Sequence, residues 1–412
     1  MLMRSHELWS PNHNSKAGDM IKKTNLLTSL ICAVGLLSTL FVAQASADAQ
    51  VSAVSLELGA DAAVENELAF IRAQLEAGKQ RLPRRIDLAV QAKALLRIAA
   101  AAGPAKVCAS ALAMLPRRWG EGRRRQAIDS NYKKLIQARA AKGQPAVVRA
   151  AALLAAAPQL RKGAKASLIN LFEAAFQESS VVLKLAVLQG FARNQGVAGG
   201  RAGALASRLL KPFVAALAIE GESPVKLAAL RLLSQSRKLH AHAEKAALGE
   251  RVVALSKSGS ALQRALALQT FKPLFQNLSN PQKRVIIEAA AAESEGILRA
   301  SALNLIGHYK IIDQLSLLKA GLDDTRKTKG EIKVADAESA KLFNSLRRVK
   351  LGVGATVQIT VIRALKGITK GWKQPYVPQG YAGRNAKEKL AQSLSTARQW
   401  FSAYETDASA VH

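Results

Sequence analysis

Acidic residues are scarce in this chain of 412 residues: 29 Asp and Glu face 60 Lys and Arg, and the formal net charge is +31. Aromatic residues make up only 5%, whereas hydrophobic residues reach 49%, mostly as Ala and Leu. This composition favours packed helices, because Ala and Leu are strong helix formers and β-branched runs are few. The large positive charge would attract polyanions or acidic proteins, although a solubilising surface would have the same composition.

Cysteine is almost absent, with one residue at position 32 and one at position 108. The first lies in Met20–Ala47, where two lysines, an apolar run and the small residues Ala45-Ser46-Ala47 predict a cleaved secretory signal peptide. An uncleaved anchor is the alternative, because the apolar run approaches the roughly 20 residues that span a bilayer. Cleavage near Ala47 would leave Cys108 alone, so no intrachain disulfide is expected. The apolar helical surroundings of Cys108 predict a buried, inert thiol.

The six histidines do not form a catalytic or metal-binding pattern. His240 and His242 are two residues apart, which places their rings on different faces of a helix, and no Cys or carboxylate completes a metal set. The sequence also contains neither a serine nucleophile elbow nor a phosphate-binding loop. These absences predict a protein without enzymatic activity, cofactor or bound metal.

A short pattern recurs along the chain at intervals typical of repeat proteins. A cation follows an apolar residue in most copies, a small residue stands three positions later, and Leu stands four positions later. The intervals between neighbouring cations are 35, 42, 38, 35 and 64 residues, and the last interval implies an insertion. At roughly 100° per residue these positions share one helix face, so each copy is predicted to be the inner helix of a helical pair. The cations are Arg149, Lys184, Lys226, Arg264, Arg299 and, in a poorer copy, Arg363.

An apolar-Arg-x-x-Ala-Leu pattern that opens the second helix of a unit of about 40 residues resembles HEAT repeats. The short, Ala-rich copies are similar to the HEAT-like repeats of phycobilin lyases. The best match is Glu293–Asp324, and the resemblance covers residues 144–324. It implies an all-α solenoid built from helical pairs. It implies little about function, because such repeats occur in adaptors, transport receptors, DNA glycosylases and chromophore lyases.

These patterns divide the chain into four regions. Residues 1–47 are a leader plus signal peptide, and residues 48–143 are an N-terminal helical region with capping and early repeats. Residues 144–324 hold the HEAT-like repeats. Residues 325–412 contain a charged insertion, an irregular last repeat and a C-terminal cap. The insertion is predicted to be a solvated helix or a mobile loop.

Arg299 lies near the centre of the apolar stripe of its copy, at the start of a helix where the dipole disfavours a cation. It therefore needs an acidic partner, and Glu293, Glu295 or an acid from the neighbouring repeat is expected to supply one. We interpret Arg299 as a structural joint between repeats and not as a ligand contact.

Two basic clusters are the candidate binding surfaces. Residues 117–142 have a net charge of +7 with Trp119 and Tyr132 interleaved, and residues 341–373 contain eight cations and no acid. Cations beside aromatic rings suit a phosphate-bearing strand, whereas the alternative is a set of solvated helix faces. The candidate residues are Arg117, Arg118, Trp119, Arg123, Arg124, Arg125, Lys133, Lys134, Arg347, Arg348, Lys350, Lys366, Lys370 and Lys373.

The sequence thus predicts an exported, non-enzymatic scaffold whose concave surface holds an acidic protein partner. One alternative is a basic solenoid that binds nucleic acid, anionic lipid or cell-wall polymer. A second alternative is an enzyme of a HEAT-like lyase or glycosylase family. Contact with a membrane is expected only if the signal is not cleaved.

Overall fold

The computed structural model describes residues 62–78, 88–101, 103–118, 129–160, 166–192, 203–235, 243–351, 354–368 and 386–410. Within these ranges the chain is almost entirely helical, which confirms the predicted all-α class. The predicted signal peptide and the two neighbouring histidines lie outside the described residues. None of the described helices combines the length and the apolar sequence that crossing a bilayer requires.

The described ranges contain eighteen helices. Their bounds are α1 Ala62–Glu76, α2 Leu88–Ala100, α3 Ala105–Arg118, α4 Asp129–Ala140, α5 Ala146–Ala156, α6 Ala166–Gln177, α7 Val181–Ala192, α8 Gly203–Leu217, α9 Pro224–Ser234, α10 Ala243–Lys257, α11 Ala261–Leu274, α12 Asn280–Ala292, α13 Gly296–Tyr309, α14 Leu315–Gly321, α15 Ala337–Leu342, α16 Asn344–Arg347, α17 Val357–Ile368 and α18 Ala386–Ala410. Two strands, β1 Lys329–Glu331 and β2 Arg348–Lys350, form a small antiparallel ribbon.

From α2 onward the helices pack as pairs, each with a first, outer helix and a second, inner helix. The inner helices α3, α5, α7, α9, α11, α13 and α17 form a continuous row, because each one packs against the next. Each inner helix also packs against a helix that precedes it in the chain. Contacts between sequence neighbours of this kind produce a solenoid-like fold.

Small residues on the inner helices allow this close stacking. The alanine three positions after each repeat cation is fully buried at Ala152, Ala229, Ala267 and Ala302. A Cβ added to Gly307 would lie 2.5 Å from the Cα of Ala364, so α13 and α17 touch backbone to backbone. Larger side chains at these places would force the row of helices apart.

The segment between α14 and α17 is a folded unit. In its ribbon Lys329 lies opposite Lys350 and Glu331 lies opposite Arg348. Beside the ribbon four apolar side chains, Ile332, Phe343, Leu346 and Val349, are fully buried. The insertion contains a helix, as one of the two predicted alternatives had it, and Ala337, Glu338 and Lys341 of that helix are exposed. The burial of the four apolar side chains beside the ribbon was not predicted.

The C-terminal helix α18 packs against α17 and buries Phe401. Two ion pairs hold it to the end of the array: Arg398 donates to Asp323 at 2.6 Å and Lys319 donates to Glu405 at 2.7 Å. Helix α18 therefore covers part of the last repeat, as the capping element of a repeat array does.

Candidate functional site

Arg149 connects three helices. Its Nη1 and Nη2 each donate to a carboxylate oxygen of Glu178 at 2.7 Å, and its Nε donates to the Ala140 carbonyl at 3.2 Å. Ala140 ends the outer helix of the same pair, and Glu178 precedes the inner helix of the next pair. The bond from Arg149 lowers the pKa of Glu178 and outweighs the opposing effect of burial. Arg149 is therefore a joint that ties one repeat to the next.

Arg299 has the same arrangement at the other end of the array. Its Nε donates to the Ala290 carbonyl at 3.0 Å, and its Nη1 donates to Asp324 at 3.0 Å. Asp324 also accepts bonds from the guanidinium and the backbone N–H of Arg326. The side-chain bond from Arg326 is the main reason that the pKa of Asp324 is lowered. The partner of Arg299 is thus an acid from the following unit, and Glu293 instead accepts from Arg264 at 2.9 Å.

The two lysines at the repeat position behave differently from the arginines. Lys184 places its Nζ 5.9 Å from the centre of the Phe176 ring, and the buried Lys226 donates to the Gly221 carbonyl at 2.5 Å. A single ammonium group cannot hold a carbonyl and both oxygens of a carboxylate in the way that the planar guanidinium does. The arginine copies therefore bind an acid, Arg149 through two bonds and Arg264 and Arg299 through one bond each.

A further copy of the repeat pattern, absent from the sequence-based set, is centred on Cys108. Val107 precedes it, Ala111 and Leu112 stand three and four positions later, and all three are buried. The Cys108 thiol donates to the Ala99 carbonyl at 3.3 Å, nine residues back, as the Arg149 and Arg299 guanidinia do to their own carbonyls. The copy has no cation, and this explains why a search for cations misses it.

Arg139 supplies the missing charge from the opposite side of this joint. Its guanidinium is buried and donates to the carbonyls of Ala99, Ala100 and Ala101 at 2.8 to 3.0 Å, where α2 ends. A cation at a helix C-terminus is stabilised by the helix dipole. Burial raises the pKa of the Cys108 thiol, and the nearby Arg139 opposes this only in part. A neutral buried thiol is a poor nucleophile, so Cys108 is a packing residue in the joint.

The last repeat copy differs from its predicted register. On α17 the buried small and Leu positions are Ala364 and Leu365, whereas Lys366, three residues after Arg363, is exposed. The residue that corresponds to the repeat cation is therefore Val361, which is fully buried. The assignment of Arg363 as a repeat cation is corrected, because its register would place a lysine in the helix interface.

The first basic cluster is only partly described by the structure. Lys133 and Lys134 are exposed on α4, and the side chains of residues 117–118 and the whole of 119–128 lie outside the described residues. Tyr132 is buried, and its hydroxyl donates to the Ala155 carbonyl at 2.9 Å. Tyr132 is therefore part of the core and is not available for stacking on a nucleic-acid base, contrary to the sequence-based interpretation.

The second basic cluster is divided among several elements. Arg347 and Arg348 are exposed beside the ribbon, Lys350 ends strand β2, and Lys366 is exposed on α17. Lys370 and Lys373 lie outside the described residues.

Strand pairing adds two lysines to the ribbon that sequence reasoning missed. Exposed Lys329 lies opposite Lys350, and exposed Lys327 bridges to Thr356 at the base of the insertion. We call the surface formed by the exposed cations Lys327, Lys329, Arg347 and Arg348 the basic ribbon. The alternation of charged and small residues in Lys329-Gly330-Glu331 could have indicated a strand. The sequence contains no signal that identifies the strand with which it pairs.

A cleft of about 850 Å³ lies between the end of α10 and helix α12. It is lined by Lys257, two arginines and two glutamates. Each glutamate is held in an ion pair, Arg264 with Glu293 and Arg284 with Glu288. Arg264 and Glu293 join one repeat to the next, whereas Arg284 and Glu288 form an exposed pair within α12.

Among the described residues no group of three or more His, Cys, Asp or Glu side chains is arranged to hold a metal ion. Comparison with family models, with curated proteins and with solved structures finds no match to this chain. The function of this chain is therefore inferred from the geometry and charge of its surfaces.

Proposed function

We propose that this chain is an exported, non-enzymatic scaffold of HEAT-like repeats that binds an acidic partner protein. The observation that carries the proposal is the basic ribbon, a group of exposed cations on and beside a pair of short strands that packs on the helical array. A folded support reduces the entropy that binding would otherwise cost, because the cations are already in place.

Cations outnumber acids among the described side chains of the ribbon. Strand β1 contributes one acid, Glu331, which lies 3.9 Å from the Arg347 guanidinium, and both side chains are 52% exposed. An exposed pair at this distance is weak. An acidic ligand would add the opposite charge that these exposed cations lack.

Acidic side chains fit this surface better than single-stranded nucleic acid does. Binding of single strands relies on aromatic rings on which bases stack, and residues 327–333 and 347–350 contain no aromatic residue. The aromatic ring of Tyr132, which suggested stacking in the first cluster, is buried. Arginine and lysine side chains without neighbouring aromatic rings suit carboxylates, which they bind through charge-assisted hydrogen bonds.

The proposed place of action outside the cytoplasm is supported only by the sequence of Met20–Ala47, a typical signal peptide. In that compartment a mature chain with a single cysteine would depend on packing and on the arginine joints for its stability. The structure is consistent with such a design, because the described inner helices form one continuous apolar row.

The test is a charge reversal on the ribbon, Lys329→Glu with Arg348→Glu, measured by binding of a labelled polyglutamate peptide to the purified mature chain. The matched control is Lys211→Glu with Lys283→Glu, which changes the net charge equally at exposed lysines of α8 and α12. We expect the ribbon variant to lose affinity by about tenfold or more, whereas the control loses only the small contribution of net charge. Equal losses in the two variants would refute a localised site.

The same proteins distinguish the alternative of general polyanion binding. Retention on heparin or on a single-stranded oligonucleotide would then exceed binding of polyglutamate and would fall steeply with salt. A shallow salt dependence, with polyglutamate preferred, supports a protein partner.

A further inference from the structure

The inner helices of the array carry charge of one sign. The seven inner helices of the described structure contain no Asp or Glu, and each contains Lys or Arg. The carboxylates that bind the joint arginines come from connections that lead into an inner helix: Glu178, Glu293 and Asp324. A base at the opposite end of an inner helix of 14 residues therefore lies about 20 Å along the axis from these acids.

Basic side chains lie in the C-terminal halves of four successive inner helices. Arg231 is on α9, Lys272 on α11, His308 on α13 and Lys366 on α17. Arg231 is half-buried, and the other three are exposed. In the described part of the chain no carboxylate pairs with Arg231, Lys272 or Lys366. We call these four side chains the basic ladder.

The ends of α11 and α13 are fixed side by side. The Tyr309 hydroxyl lies 3.0 Å from the carbonyl oxygens of Phe271 and Phe275, on either side of Lys272 in the chain. The pKa of His308, next to Tyr309, is lowered by burial and, to a smaller extent, by the positive charge of Lys272. Lys272 and His308 are therefore neighbours across the helix interface.

The ends of α13 and α17 also meet. A Cβ added to Gly307 would lie 2.5 Å from the Cα of Ala364, and a Cβ added to Gly367 would lie 3.2 Å from the Gly307 carbonyl oxygen. His308 follows Gly307 and Lys366 precedes Gly367, so these two bases lie at the same level of the two helices. The basic ladder is therefore continuous from α11 to α17.

Arg231 is the member of the basic ladder that indicates a ligand most directly. Its Nε is inaccessible to solvent and has no hydrogen-bond partner among the described residues. Burial lowers the pKa of Arg231, and no neighbouring charge opposes this effect. By contrast, the joint residues Arg149 and Arg299 each bind a carboxylate and a carbonyl. A partly buried guanidinium without an anion costs free energy, so an anion at its Nη groups would complete the site.

The helix dipole is the structural alternative for these residues. A cation in the last turn of a helix is stabilised by the dipole, and Arg231, Lys272 and Lys366 all lie in last turns. The dipole does not explain why the Nε of Arg231 is buried without a hydrogen bond.

We propose that the basic ladder binds an extended acidic segment of the partner protein, which lies across the C-terminal halves of α9, α11, α13 and α17. Packed helices are about 8–10 Å apart and an extended chain advances about 3.3 Å per residue, so an acid at about every third residue would meet successive members of the ladder. Neutral His308 donates one N–H to a carboxylate, and the cations add charge-assisted hydrogen bonds. This inference rests on the proposed function and names the part of the acidic partner that is bound.

The basic ladder is separate from the basic ribbon. Gly330, in strand β1, packs on Leu262 and Ile297, which lie in the first turns of α11 and α13. On the same two helices Lys272 and His308 are about 15 Å further along the helix axis. The two surfaces can therefore be altered independently.

The test uses a labelled peptide of about ten residues, with glutamate at every third position and serine elsewhere, which is long enough to reach all four members of the ladder. In the ladder variant, Lys272→Glu with Lys366→Glu, we expect the affinity of the purified chain for this peptide to fall by about tenfold or more. The matched control is again Lys211→Glu with Lys283→Glu, and a peptide of the same composition with adjacent glutamates should bind the wild type more weakly. The imidazole C–H signals of His308, identified by their absence from His308→Gln, should shift in the NMR spectrum as the spaced peptide binds.

Arg231→Met separates binding from stability. We expect a loss of about fivefold or more in affinity for the spaced peptide, together with an unchanged or higher urea midpoint, because the variant removes a partly buried charge that has no partner. A lower midpoint with unchanged affinity would show that Arg231 has only a structural role. Far-UV circular dichroism checks that each variant remains helical.

The outcomes for the basic ladder and for the basic ribbon are distinct. Equal losses in the ladder variant and in its control would refute the ladder. A loss of spaced-peptide binding in the ladder variant supports the ladder even if the ribbon variant, Lys329→Glu with Arg348→Glu, keeps full affinity for polyglutamate, which would refute the ribbon. A loss in the ribbon variant alone would do the reverse. Stronger binding of a single-stranded oligonucleotide than of the spaced peptide would overturn the assignment of the ladder to a protein segment.

Discussion

Replacing Arg149 with methionine tests whether the arginine joints hold the repeats together. The substitution retains most of the aliphatic stem and removes the guanidinium, with its two bonds to Glu178 and one to Ala140. The Arg149 side chain is 9% exposed and Glu178 is 28% exposed. Breaking a buried ion pair costs about 3–5 kcal/mol, and partial solvation of the remaining carboxylate reduces this. We expect a loss of about 2–4 kcal/mol in the free energy of unfolding.

The assay is urea unfolding at neutral pH, followed by far-UV circular dichroism, on a double-mutant cycle of Arg149→Met and Glu178→Gln. A direct interaction should give a coupling energy of about 1–3 kcal/mol. Hydrogen exchange of the amides in α5 and α7 locates the loss, because an array of repeats can unfold in parts.

Lys184→Met is the matched control. Lys184 occupies the same repeat position, but it contacts an aromatic ring where Arg149 contacts a carboxylate. Its contact with Phe176 at 5.9 Å is a cation–π interaction on a half-buried side chain, so we expect a loss below about 1 kcal/mol. A free energy of unfolding for Arg149→Met within about 0.5 kcal/mol of the wild-type value would show that the joint does not stabilise the array. A double-mutant cycle without coupling would show the same.

Two further predictions concern packing and pH. Gly307→Ala should destabilise the chain by about 1–3 kcal/mol in the same urea assay, despite the higher helix propensity of alanine, because the new Cβ would meet the backbone of Ala364. The control is Gly103→Ala, which should be nearly neutral because the space around Gly103 is open. Because the pKa of Asp324 is lowered in the folded state, its contribution is complete above its pKa in the unfolded chain and is lost as the pH falls through the lower folded value. The stability of the wild type should therefore decline more steeply below about pH 4 than that of Asp324→Asn, and an identical acid profile would contradict the arrangement.

Several features of the fold could be predicted because they depend on local sequence. The start of α3 follows Gly103-Pro104, and α1 ends near Gly78, whose φ of +75° suits glycine. Each of these signals is contained within a few neighbouring residues.

The partners of the arginines could be predicted only in part. An acid from the neighbouring repeat was expected for Arg299, and the geometry places Asp324 there. For Arg149 the sequence offered no acid upstream, because Glu178 comes 29 residues later and approaches only when the next pair stacks. The Cys108 copy was missed for a related reason: its cation, Arg139, belongs to the next outer helix.

The sequence by itself determined the helical class, the repeat intervals and the positive charge, because helix propensity, apolar periodicity and charge are properties of local composition. Only the tertiary structure decided that the insertion folds across the array, that Lys329 joins Arg348 and Lys350 on one ribbon, and that α15 packs against α3 and α5. These contacts join residues that are far apart in the chain. They depend on how the stacked pairs bring separate surfaces together, which no local pattern specifies.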